Sequence, residues 1–204
     1  MGEVVLAPIL HPSGILRGQW SAEPSQIAFL RRAWNIAQRV ESPFLPNVRC
    51  APPGSIPTPT LRDVTNYLAE VQTLEDQRMA CDIEGTRGRL IGVGFCRLAD
   101  EKALYIPILD TEWEYWREEE WPAVDVALRA LLAFPLIMHN GQAFDVPFLE
   151  SCGYQVPQYI DDTMILHHIL YAEMGKSLEE LAILYLGFPS WKWLSKVGEL
   201  EEGK

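Results

Sequence analysis

Apolar positions change their spacing several times along the chain, and each change marks an element. Val4 to Leu10 is a short apolar run closed by His11-Pro12-Ser13-Gly14, which predicts a buried strand and a turn. Beyond Pro24, the residues Ile27, Leu30 and Trp34 fall on one face of a helix. Residues 43–59 then carry Pro43, Pro46, Pro52, Pro53, Pro57 and Pro59 with Gly54, a composition that reads as a linker. Thr60 is placed to cap a helix with Leu61, Val64 and Leu68 on one side. Strands are predicted over 79–83, 90–98 and 103–109, the last two joined by the polar Ala99-Asp100-Glu101-Lys102 turn, so the three form an antiparallel meander.

Helical spacing returns over 124–134, with Pro122 near its start. A short buried strand follows over 136–139, and a helix over 144–152 is ended by Gly153. Two further helices are predicted over 163–171 and 178–186. Ser177 caps the second, Glu180 completes a capping box, and Gly187 stops it. A meander followed by alternating strands and helices predicts an α/β fold, a mixed sheet flanked by helices. The expected organisation is an N-terminal extension over 1–42, a linker over 43–59 and one domain over 60–204.

Composition changes this picture little. The 204 residues are 48% hydrophobic and 22% charged, ordinary values for a water-soluble chain with one well-made core. No apolar run approaches the roughly 20 residues of a membrane helix. The first ten residues lack the basic region of a signal peptide, so a cytoplasmic protein is expected. Cys50, Cys81, Cys96 and Cys152 form no Cys-x-x-Cys pair and read as reduced thiols. The net charge of −11 argues against tight binding of duplex DNA without metal, because phosphate contacts ordinarily need a basic surface.

The candidate chemistry lies in acids. Cys81-Asp82-Ile83-Glu84 sits in a strand, where residues two apart share a face, so Asp82 and Glu84 project together. Two adjacent carboxylates repel unless a cation lies between them, and hard oxygen donors suit Mg²⁺ or Mn²⁺. About sixty residues on, His139-Asn140-Gly141-Gln142-Ala143-Phe144-Asp145 leads from a buried strand into a helix. Asp145 falls in the first helical turn, where the helix dipole favours a carboxylate. Phe144 and Phe148, four apart, read most simply as core residues on one helical face.

In that order these motifs resemble the DnaQ-like, or DEDD, superfamily of 3'-5' exonucleases, which includes polymerase proofreading domains. Asp82 and Glu84 match its first motif; Asn140, Phe144 and Asp145 match its second. Asp161-Asp162-Thr163-Met164 and Ser177-Leu178-Glu179-Glu180-Leu181-Ala182 resemble the stretch that follows in polymerase-type members. The resemblance implies a ribonuclease H-like fold and two Mg²⁺ or Mn²⁺ ions held by Asp82, Glu84 and Asp145. It implies Asn140 and Phe144 near the terminal nucleotide, and release of nucleoside 5'-monophosphates from single-stranded DNA 3' ends. A polymerase domain or a larger repair protein is the implied partner.

The family's third motif, Tyr-x3-Asp or His-x4-Asp, does not occur in Ser151 to Lys204. His168 and Glu173 have a related spacing but fall too early, and Asp162 is a candidate supporting acid. His167 and His168 read as helix residues. Val4 to Arg17, with His11-Pro12-Ser13, resembles the last core strand and loop of uracil-DNA glycosylases, without the remaining motifs of that chemistry. Two functions therefore stand side by side: a metal-dependent exonuclease, or an exonuclease-fold module that grips a 3' end without cutting it.

Overall fold

The computed structural model describes residues 54–86, 88–109 and 115–186. The strand and helix expected before residue 43 lie outside these. Arg49–Leu166 form one compact unit, and from His167 the chain belongs to a second.

The unit opens with α1 (Leu61–Thr73), capped by Thr60 in a capping box with Asp63. Three antiparallel strands follow: β1 (Met79–Thr86), β2 (Arg89–Arg97) and β3 (Ala103–Pro107). Next come α2 (Trp121–Leu132), β4 (Leu136–Met138), α3 (Asp145–Ser151) and β5 (Tyr159–Asp162). The sheet order is β3-β2-β1-β4-β5, with β4 parallel to both β1 and β5. This is the α/β mixed sheet with flanking helices that the sequence predicts.

The pleat of β1 sets its two faces. Met79, Cys81 and Ile83 are buried, whereas Ala80, Asp82 and Glu84 are exposed. Across the sheet the buried row continues as Cys81–Phe95–Leu104 and Ile83–Val93–Ile106. That row joins Val64, Tyr67 and Val71 of α1 and Val124, Leu128 and Leu131 of α2 in one core. The opposite face reads Asp82–Gly94–Tyr105 and Glu84–Gly92–Pro107. Burying one row and leaving the other open is what holds the two acids on an accessible face.

Ile56, at the end of the proline-rich segment, makes an isolated parallel bridge to Leu104 of β3. Ile56 N–H donates to Ala103 O at 2.9 Å, and Ile56 O accepts from Tyr105 N–H at 3.0 Å. The sequence reading missed β5: Tyr-Ile-Asp-Asp is four residues long and lacks an alternating apolar pattern. Its strand character comes from pairing with β4. Helix α4 (Thr163–Leu170) follows β5 directly. In the second unit α5 (Leu178–Leu181) has the Ser177/Glu180 capping box, then widens into a π-helical turn at Ala182–Leu186. His167 Nδ1 lies 2.8 Å from Tyr185 Oη there. Cys81, Cys96 and Cys152 are free thiols, and among the described residues no helix is long and apolar enough to cross a membrane.

Candidate active site

The carboxylate face ends where β4 stops. Parallel pairing of β1 with β4 covers Met79–Leu136 and Ala80–Ile137 only. The chain then leaves β4 through His139 and Asn140 and turns into α3, which begins with Asp145. The turn depends on Asn140, whose φ of 64° is left-handed, a conformation asparagine tolerates better than most residues. Asn140 O accepts from Ala143 N–H at 3.2 Å and Phe144 N–H at 3.1 Å, which closes the turn.

This path returns Asp145 to β1. Its Oδ1 accepts from Ile83 N–H at 3.3 Å, and only 3% of the residue is exposed. The amide that binds it belongs to the residue between Asp82 and Glu84. Tertiary folding therefore brings the two motifs to one point, although sixty-two positions separate Ile83 from Asp145. Phe148 fixes the approach of α3, because a Cβ on Gly85 would meet its ring at 2.7 Å. A bulge between Glu84 and Gly85 interrupts the β1–β2 register at the same place.

The electrostatics follow from this packing. Burial, and then the charge of Asp82, push the Asp145 carboxyl up to about 6, against the pull of the Ile83 amide. Loss of water also raises Asp82, opposed by the Ile83 amide and by His139. The charge of Asp82 thus bears on the carboxylate that the Ile83 N–H holds in place. Neither Asp82 nor Asp145 is ion-paired to a lysine or arginine among the described residues. Glu84 projects from the same face and its charge raises the Tyr105 hydroxyl, after burial.

Among the described residues no three His, Cys, Asp or Glu side chains already converge as a metal-ion site. The donor set still fits a hard cation. Asp82 and Asp145 are hard carboxylates whose mutual repulsion a cation would relieve, on an open face beside exposed Glu84.

Asn140 and Phe144 flank Asp145. Phe144 is 51% exposed, so it is not the core residue its spacing from Phe148 suggested. Their rings lie 5.9 Å apart at 33°, with Phe148 against the core and Phe144 turned to solvent.

Asp162 has a definite place. It is 5% exposed, and its Oδ1 accepts from Asn140 N–H at 2.9 Å, Met164 N–H at 2.9 Å and Ile165 N–H at 3.3 Å. Tyr159 Oη donates to its other oxygen at 2.6 Å. Burial alone would raise this carboxyl, but the four donors hold it below its ordinary value. The next residue, Thr163, meets His139 Nδ1 through Oγ1 at 2.8 Å. The β5–α4 junction thus clamps the turn that delivers Asp145. The sequence signal for this was Asp162-Thr163-Met164 before a helix, an N-cap pattern, but its second partner at Asn140 is visible only in three dimensions.

No protein-family model matches the sequence, and no curated protein matches it. Among solved structures, the Trypanosoma brucei RNase D complex with RNA U12 superposes with a TM-score of 0.51 at 14% identity, over 70% of this chain and 50% of that one. The RNase D–GMP complex gives 0.51 at 13% identity, over 71% and 46%. The catalytic core of T. brucei RRP6 gives 0.47 at 17% identity, over 72% and 38%. The chain spans half the length of these structures or less, and the fold comparison rests on the two RNase D complexes. Mixed sheet order and superposition agree: this chain has a ribonuclease H-like α/β fold, the fold of those RNase D structures.

Proposed function

We propose that this chain is a divalent-metal-dependent 3'-5' exonuclease that acts on single-stranded DNA 3' ends and releases nucleoside 5'-monophosphates. The observation that carries this reading is the return of Asp145 to the amide between Asp82 and Glu84, where two carboxylates confront each other with no lysine or arginine paired to either among the described residues. Asp82, Glu84 and Asp145 are the ligands for Mg²⁺ or Mn²⁺, two per site. When bound, the ions supply charge neutralisation at the phosphate and a water of lowered pKa. The chain's own residues do the rest. Burial of Asp145 keeps bulk water from one side of the site. The turn at Asn140 sets the position of Asp145, and exposed Phe144 offers a ring to the terminal nucleotide.

A second reading is a module that grips a 3' end without cutting it. The absence of a three-acid cation cluster among the described residues favours it. The bound RNA in the RNase D structure makes RNA the competing substrate. The deciding experiment incubates the 204-residue chain with 3'- or 5'-labelled single strands of DNA and RNA in Mn²⁺, Mg²⁺ or EDTA. Stepwise shortening from the 3' end of DNA that EDTA stops is the expected result. Metal-dependent binding with intact strands selects the module, and faster loss of RNA reverses the substrate assignment.

A further inference from the structure

The acidic row of the sheet does not end at the acids. Asp82 faces Gly94 across β1–β2, and Gly94 faces Tyr105 across β2–β3, so all three lie on one side of the sheet. The neighbouring row is Glu84, Gly92 and Pro107. Without side chains, the two β2 positions leave the sheet bare between the acids and β3.

Tyr105 fills that space. A Cβ built on Gly92 would lie 2.2 Å from its Oη, 2.4 Å from Cζ and 2.8 Å from Cε2, while one on Gly94 would lie 4.0 Å from Cδ2. The ring therefore leans from Gly94 across Gly92 toward β1, and Glu84 acts on its hydroxyl. The side chain is half-buried: one side covers the glycine backbone, and the remainder stays open on the acidic face. Phe144 stands beside Asp145 on the α3 side of the same acids.

We propose that Tyr105 is a substrate-positioning residue: its ring, laid on the bare β2 backbone, is the shelf that supports a base or sugar of the single strand on the β3 side of Asp82 and Glu84. The proposal rests on the exonuclease reading above and adds a second aromatic contact to it. An aromatic ring beside a phosphate-directed acidic site holds a nucleotide through its flat face, whatever the base.

The test measures binding of a fluorescein-labelled single-stranded DNA to the full chain by anisotropy, with Ca²⁺ in place of Mn²⁺ so that cleavage does not intervene. Tyr105→Ala is expected to weaken binding about tenfold, the size of one lost base stack, and Tyr105→Phe to restore it. Gly92→Ala, whose methyl would push the ring aside, is expected to weaken binding similarly. Combined with Tyr105→Ala it should weaken binding no further, because both changes remove one shelf. In Mn²⁺ turnover, Tyr105→Ala should raise KM and leave the half-saturating Mn²⁺ concentration unchanged. Should Tyr105→Ala unfold, Tyr105→Leu, which refills the space without a ring, must show the same loss. A parent that binds while Tyr105→Ala or Tyr105→Leu binds equally well overturns the shelf alone. So does a Tyr105→Phe variant as weak as Tyr105→Ala, because the hydroxyl and not the ring would then be responsible. A parent that binds no strand overturns the exonuclease reading together with the shelf.

Discussion

The β1–β2 hairpin carries acids near both ends and treats them in opposite ways. At the end where Met79 faces Arg97, Glu70 and Asp100 are both paired with cations. Buried Arg97 bonds Glu70 at 2.6 Å and pairs with Asp100, while its guanidinium carbon lies 5.1 Å from the centre of the Tyr67 ring. Lys102 adds a second contact to Glu70 at 2.7 Å. Hydrogen bonds from these cations hold both Glu70 and Asp100 below their ordinary values. At the other end, Asp82 and Asp145 are pushed up and, among the described residues, neither is paired with a lysine or arginine. The same hairpin holds paired charge at one end, and on the proposed reading the other end is where a cation from outside the chain binds. Charge left uncompensated marks a functional site better than charge alone.

Breaking each end separately sharpens the comparison. The largest effect is expected from Asp82→Ala. Loss of one ligand should lower Mn²⁺-dependent cleavage by about 100-fold or more, with a melting temperature in EDTA no lower than the parent's, because Asp82 lies outside the core and its charge opposes that of Asp145. Nuclease rates and thermal melting of the same sample check both halves. Asp162→Ala should come next, though Asp162 belongs to neither acidic end. It leaves the part-buried Asn140 and α4 amides and the Tyr159 hydroxyl without their acceptor and should cost about 2 kcal/mol in urea unfolding. Cleavage should fall with it through displacement of Asp145.

Arg97→Ala, at the paired end, should cost about 1–2 kcal/mol and leave the cleavage rate per folded molecule unchanged. The loss is moderate because Glu70 and Asp100 are partly exposed and can turn to water.

On stability, Asp145→Asn gives the smallest effect and the opposite sign. A carboxyl held at about 6 in the folded state, above the roughly 3.9 of an unfolded chain, binds its proton more tightly when folded. It imposes no cost below pH 4, a growing cost between 4 and 6, and its full cost above 6. The amide keeps an oxygen for Ile83 N–H without the charge. In EDTA it should therefore raise the melting temperature by a few degrees above pH 6 and by nothing near pH 4. Mn²⁺ should stabilise the parent above pH 6 and leave this variant almost unmoved. A stabilisation independent of pH would show that Asp145 does not carry the strain assigned to it.

Much of this was legible in the chain itself. Alternation over Met79 to Glu84 sent Asp82 and Glu84 to one face, because a pleated strand has a period of two whatever surrounds it. Local chemistry likewise set the caps at Thr60 and Ser177 and the stop at Gly153, whose φ is 84°. Spacing misjudged Phe144: its separation from Phe148 suggests a shared helical face, but Phe144 precedes the first turn of α3 as its N-cap and has left the core.

Only the tertiary structure decided which distant residues meet. No local signal states that β4 lies beside β1, that it stops after Met138, or that Asp145 reaches the Ile83 amide beyond it. Nor does any local signal make Tyr-Ile-Asp-Asp a strand or set Asp162 under Asn140. These follow from how helices and strands close over one core, which depends on the whole set of buried surfaces. The sequence determined the identity of the acids and the face of β1 on which two of them stand, because those rest on covalent geometry and a few neighbouring residues. Packing determined their convergence, the clamp at Asp162 and the ring of Tyr105 beside them, because contacts far apart in sequence exist only once the core has formed.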